Sequence, residues 1–124
     1  MSISNYLEEE LLDQIFNNLA APAITTPYIS LHTADPGETG ASECTGGSYI
    51  RKAGSFGAAS GGAISSDAAL TFPSMPACTV THVGVWDAES SGNFLWGGAL
   101  TASKVVNSGD TFEIASGDLV VTLD

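Results

Sequence analysis

The stretch TVTHVGVW, residues 79–86, followed at once by DAESSGN (87–93) and FLWGGAL (94–100), decides the fold. Strict alternation over eight residues puts Thr79, Thr81, Val83 and Val85 on one face of a strand. Val80, His82, Gly84 and Trp86 fall on the other. Asp, Ser, Gly and Asn between two such runs form a turn signal, so the two runs read as an antiparallel hairpin. Working outward, Tyr28–His32 and Ala69–Phe72 have the same character, the second stopped by Pro73 and Pro76. Thr101–Val106, Thr111–Ile114 and Leu119–Leu123 follow, separated by NSGD (107–110) and ASGD (115–118). Short strands with turns every eight to twelve residues predict a mainly β fold: an antiparallel β-sandwich or jelly-roll-like domain.

One segment departs from this pattern. In residues 5–19, Leu7, Leu11, Leu12, Ile15, Phe16 and Leu19 recur at three- and four-residue spacing, which predicts a single amphipathic α-helix. Asn5 with Glu8 reads as its capping pair, Glu8, Glu9 and Glu10 sit near the positive end of its dipole, and Pro22 reads as its end. The stripe is wide and needs a cover: the chain's own sheet, or equivalent helices around a symmetry axis. The 124 residues suffice for one domain with a real core, helix first and sandwich over 28–124. Two connections are long: residues 33–47, rich in Gly, Ser and Thr, and residues 54–62 (GSFGAASGG). Loops of the first length are uncommon in compact domains and are usually functional or disordered.

Charge narrows the choice of partners. Three basic residues (Arg51, Lys52, Lys104) face fourteen acidic ones, a formal net charge of -11. Such a surface repels phosphate backbones and anionic lipid, so neither nucleic acid nor membrane is an expected partner. The N-terminal MSISNYLEEELL lacks a basic segment and a long apolar run, and no signal peptide is expected. Cys44 and Cys78 have neither C-x-x-C nor zinc spacing, and read as two thiols of a protein made in a reducing cytosol.

No catalytic constellation is expected. His32 and His82 are the available bases, no G-x-S-x-G elbow is present, and His82 in its strand reads as a structural imidazole. His32, Asp35 and Glu38 have a three-residue rhythm, but Pro36 and Gly37 prevent helical presentation. Asp35-Pro-Gly is better read as turn chemistry than as a metal site. Neither a metal nor a cofactor is expected, and a weak calcium contact in the acidic loop stays open.

Read together, SLHTADPGETGASECTGGSYIRK (30–52), AISSDAALTFP (63–73) and the run from Thr81 to Asp124 resemble a family of small tailed-bacteriophage virion proteins. The pattern is L-H-T-A-D-P-G, G-G-S-Y, T-H-x-G-x-W-D and a closing G-D-x-x-x-T-L; Cys44 and Trp96 stand where small or polar residues are expected. The resemblance implies a structural protein of the virion, synthesised in the bacterial cytoplasm. Its main functional expectation is a capsid decoration (cement) protein bound to the outer head shell; the alternative is a tail-fibre or receptor-binding module that contacts host surface glycans. Expected partners are the major capsid protein and copies of the chain itself, as a trimer. The candidate interface residues are Leu7, Leu11 and Ile15 on the helix, His32, Asp35 and Glu38 at the long loop, and Tyr49, Arg51, Trp86 and Trp96. The long loop itself is expected to serve as a contact arm between subunits.

Overall fold

A computed structural model describes residues 2–20 and 24–123. At its centre is β6 (Cys78–Trp86), paired antiparallel with β2 (Tyr28–His32) on one side and β7 (Phe94–Val106) on the other. β1 (Ser2–Ile3) adds to β7 and β3 (Lys52–Ala53) to β2, giving a five-stranded sheet of order β1-β7-β6-β2-β3. Two small antiparallel ladders face it: β4 (Ala63–Ser65) with β9 (Val120–Thr122), and β5 (Leu70–Phe72) with β8 (Phe112–Ile114). The chain is thus an antiparallel β-sandwich of unequal layers with one N-terminal helix.

The register explains the core. Ile29 stands opposite Val85 and Leu31 opposite Val83. These four side chains share one face of the sheet, where they meet Trp96, Leu70, Phe72, Phe112, Ile114 and Leu119. Ile29, Leu31 and Val80 are fully buried, and burial of each such side chain contributes about 1.5–3 kcal/mol. Cys44 and Trp96, unexpected by type, are both core residues at 3 % exposure. Phe94–Leu100 and Thr101–Val106, two strands by sequence, are one strand with a wide bulge. Val80 pairs with Lys104 but His82 pairs with Ala99, so residues 100–103 stand opposite Thr81 alone. Strands β1, β3 and β4, of two or three residues each, carry too few residues to show a period.

The helix is shorter than its apolar period. α1 spans Asn5–Phe16, and its N-cap is Ser4, not Asn5: Ser4 Oγ accepts from the Leu7 N–H at 3.3 Å. The same hydroxyl donates to the Phe94 carbonyl at 2.6 Å, which fastens the helix start to the sheet. The end lies at Asn17-Asn18, where Asn18 takes φ 55, a left-handed conformation that Asn tolerates. Leu19 therefore falls beyond the helix, and Pro22 lies outside the described residues. Tyr6, Leu7 and Leu11 pack against the core. Leu12, Ile15, Phe16 and Leu19 do not: they are 57, 72, 77 and 55 % exposed.

Candidate functional site

The second face of the sheet is built differently from the first. Ser30 and His32 on β2, Gly84 on β6 and Gly97 on β7 share it, with Trp86 and Phe94 at one end. The two glycines leave space that other groups use. A Cβ on Gly84 would lie 2.6 Å from Ser30 Oγ and 2.8 Å from His32 Nε2; one on Gly97 would lie 2.7 Å from Pro36. Over this face lies the long loop. Pro36, Gly40 and Cys44 are buried while most of its other residues are exposed. Gly40, at φ +76, presses against Trp86 so closely that any Cβ would overlap the indole. The loop is not an arm reaching outward: its inner side is the lid of the second face.

A chain of hydrogen bonds holds the lid. His32 Nδ1 donates to the Ala41 carbonyl at 2.7 Å, so Nε2 is the acceptor, and the Ser30 hydroxyl donates to it at 2.6 Å. Ser30 Oγ in turn accepts from Trp86 Nε1 at 2.9 Å. Burial holds the His32 imidazole below its ordinary pKa, against the upward pull of its bond to Ala41. His32 is thereby a neutral imidazole with one defined tautomer.

Arg51 closes the other end. Its guanidinium lies 3.6 Å from the Trp86 ring centroid and makes a two-pronged pair with Glu43: Nε to Oε2 at 3.0 Å and Nη2 to Oε1 at 2.9 Å. Nη1 donates to the carbonyls of Ala88 and Ser91, in the turn between β6 and β7. Glu43 also accepts from the Tyr49 hydroxyl at 2.8 Å, and that hydroxyl accepts from the Leu31 N–H. Burial pushes the Tyr49 phenol up, and the Glu43 carboxylate adds to the shift. One cation thus ties loop, hairpin turn and sheet together.

His32, Tyr49, Arg51 and Trp86 are therefore brought into one cluster, but its groups are turned inward. His32 is 0 % exposed, and Trp86 and Arg51 are each 8 % exposed. Trp96 is on the opposite face, 3 % exposed, its Nε1 buried without a partner. Both indoles, expected at an interface, are thus covered within the chain, Trp86 in part by the Arg51 guanidinium. Asp35 and Glu38 are exposed but locally engaged. Asp35 Oδ1 accepts from the Gly37 N–H at 2.9 Å, the Asx turn that the sequence indicates, and Glu38 Oε2 accepts from the Asn5 N–H at 2.7 Å. His32, Asp35 and Glu38 thus bond to separate partners, and they do not gather into a group that could hold a metal ion. Leu7 and Leu11 are half-buried against the core; Ile15 is open. Glu43, Ser30 and Ser4, central to these bonds, were not singled out by type. Asn17-Asn18 was a legible stop signal, whereas Ser30 gives no sign of its partners.

Beneath the β7 bulge is an open cavity of about 490 Å³, lined among others by Val83, Trp96, Leu100, Phe112, Ile114 and Leu119. Its lining combines core side chains with exposed polar ones, among them Lys104, Glu113 and Asp118.

Buried polar groups that fasten loops to a sandwich, together with an apolar helix stripe open to its surroundings, define a structural module. Residues 2–122 match the family model described as podophage GP4 fiber I protein gp80, and the chain belongs to that family. It is accordingly a bacteriophage virion structural protein of fibre-like type. Comparison with curated proteins gave no significant match.

Proposed function

We propose that the chain is a non-enzymatic building block of a phage fibre, assembled with copies of itself through the outer stripe of α1. The match to a fibre protein over residues 2–122 carries this reading. The side chains best suited to chemistry support it: His32, Glu43, Tyr49 and Arg51 are engaged in bonds that hold the lid. No role for a metal or cofactor is invoked. Leu12, Ile15 and Phe16, at i, i+3 and i+4 of α1, form an exposed apolar stripe of the sort that marks an interaction site, with exposed Leu19 just beyond the helix. A trimer would place three such stripes around one axis, closing the assembly, while Glu8, Glu9 and Asp13 flank them.

Head decoration shares the same coarse class, and the family description favours the fibre. The two readings differ in stoichiometry. A decoration protein approaches the copy number of the major capsid protein, whereas a fibre subunit is present in tens of copies or fewer. Densitometry of stained gels of purified virions distinguishes them, and a near-stoichiometric band would overturn the fibre assignment.

A further inference from the structure

The lid ends at Cys44, whose Sγ lies 3.5 Å from Sγ of Cys78, the first residue of β6. Both are free thiols in this structure, Cys44 buried and Cys78 half-buried. Their backbones are anchored independently. The Cys44 N–H donates to the Leu31 carbonyl at 2.8 Å, and Cys78 pairs with Val106 in the ladder. We propose that Cys44 and Cys78 form an oxidisable dithiol site that closes to a disulfide when the folded chain meets a low-molecular-weight disulfide outside a reducing cytosol. The bond would staple the lid of the second face to the central strand.

The geometry demands little. The sulfurs must approach from 3.5 Å to about 2.05 Å, a closing of roughly 1.5 Å that side-chain rotation supplies. Cys78, the more accessible, loses its proton to solvent, and its thiolate attacks one sulfur of the small disulfide. One small thiolate leaves and is protonated. The Cys44 thiolate then displaces the second small thiol and forms the Cys44–Cys78 bond. In sum the two protein thiols give up two protons and two electrons, and the external disulfide becomes two thiols. Burial pushes the Cys44 thiol up to about 12, the Cys78 neighbour adding to the shift, so its thiolate is scarce near neutral pH. Closure is therefore slow at pH 7 and accelerates roughly tenfold per unit as pH rises toward 9. The two residues are 34 apart in sequence, a ring long enough to constrain the unfolded chain substantially.

That closure takes place on the particle rests on the virion reading; that it takes place in the purified chain does not, so the two are tested separately. Purified full-length protein is equilibrated with excess oxidised glutathione, then analysed by intact mass and non-reducing peptide mapping. The expected result is loss of two hydrogens, a joined Cys44–Cys78 peptide pair, and a rise in Tm of roughly 10 °C. Cys78→Ala and, separately, Cys44→Ala should both abolish the joined pair. Unreacted thiols, or glutathione mixed disulfides that never resolve, would overturn the proposal. Protein released from purified virions in the presence of an alkylating agent gives the second answer. A joined pair supports use of the site on the particle, and two alkylated cysteines contradict it.

Discussion

Replacing Arg51 by Ala tests whether the inward-facing cluster holds the lid. The substitution removes a guanidinium that is 8 % exposed, pairs with Glu43 through two bonds, and supplies the donor for the Ala88 and Ser91 carbonyls. Glu43 would be left with Tyr49 as its side-chain donor. Breaking a buried pair from one side costs about 3–5 kcal/mol. Because the Glu43 side chain keeps 21 % exposure, the lower end applies, about 3 kcal/mol. Loss of the stack on Trp86 adds about 1 kcal/mol. The sum, roughly 4 kcal/mol, corresponds to a Tm lower by roughly 15 °C for a chain of this length. Urea unfolding followed by tryptophan fluorescence measures it, since Trp86 reports on the lid directly. Arg51→Lys keeps the charge but loses the fork and the planar stack, so about half of the loss should remain. In a double-mutant cycle with Glu43→Gln, a coupling of about 2 kcal/mol or more is expected. An Arg51→Ala protein within about 1 kcal/mol of the parent would refute the reasoning.

Three further outcomes are expected. Gly40→Ala should cost roughly 3 kcal/mol in chemical denaturation, combining a positive φ with overlap on Trp86, whereas Gly37→Ala, where a Cβ meets nothing, should cost roughly 1 kcal/mol; equal costs would mean that the lid does not press on the indole. His32 is held below its ordinary value of 6.5, so below that pH the unfolded chain binds a proton that the folded chain declines. Its contribution to stability is complete above about 6.5 and is lost as pH falls below it, and an NMR midpoint for the His32 ring at or above 6.5 would contradict this. Ile15→Glu with Phe16→Glu, both on exposed positions, should change stability by less than about 0.5 kcal/mol yet reduce self-association in sedimentation at high concentration; unchanged association would remove the helix stripe as the assembly surface.

The sheet was legible because its central strands carry a period. Tyr28–His32 occupies the expected residues, and TVTHVGVW forms all of β6 beyond Cys78. The alternation was less informative about burial, because both faces of the strand are covered. One face meets the core and the other meets a loop, and nothing in a period of two says which cover is a sheet and which is a lid. The helix was overextended because Leu19 continues the apolar spacing past the point where Asn18 turns left-handed. Its apolar stripe needs a cover, and four of the six residues, Leu12, Ile15, Phe16 and Leu19, remain exposed while Leu7 and Leu11 meet the core. The cluster itself depends on contacts across long separations, such as Trp86 to Ser30 over 56 residues and Arg51 to Ser91 over 40, which local pattern does not encode. His32, Tyr49, Arg51 and Trp86, expected at an interface, are instead engaged in the bonds of the lid. Deleting residues 38–46 would therefore uncover Trp86 and His32 rather than trim a free arm.

Immunogold electron microscopy of intact virions, with antibody raised against the folded domain, tests the fibre assignment most directly. Label confined to fibres is the result the account predicts. Label spread evenly over the head shell would contradict it and return the chain to a decoration role.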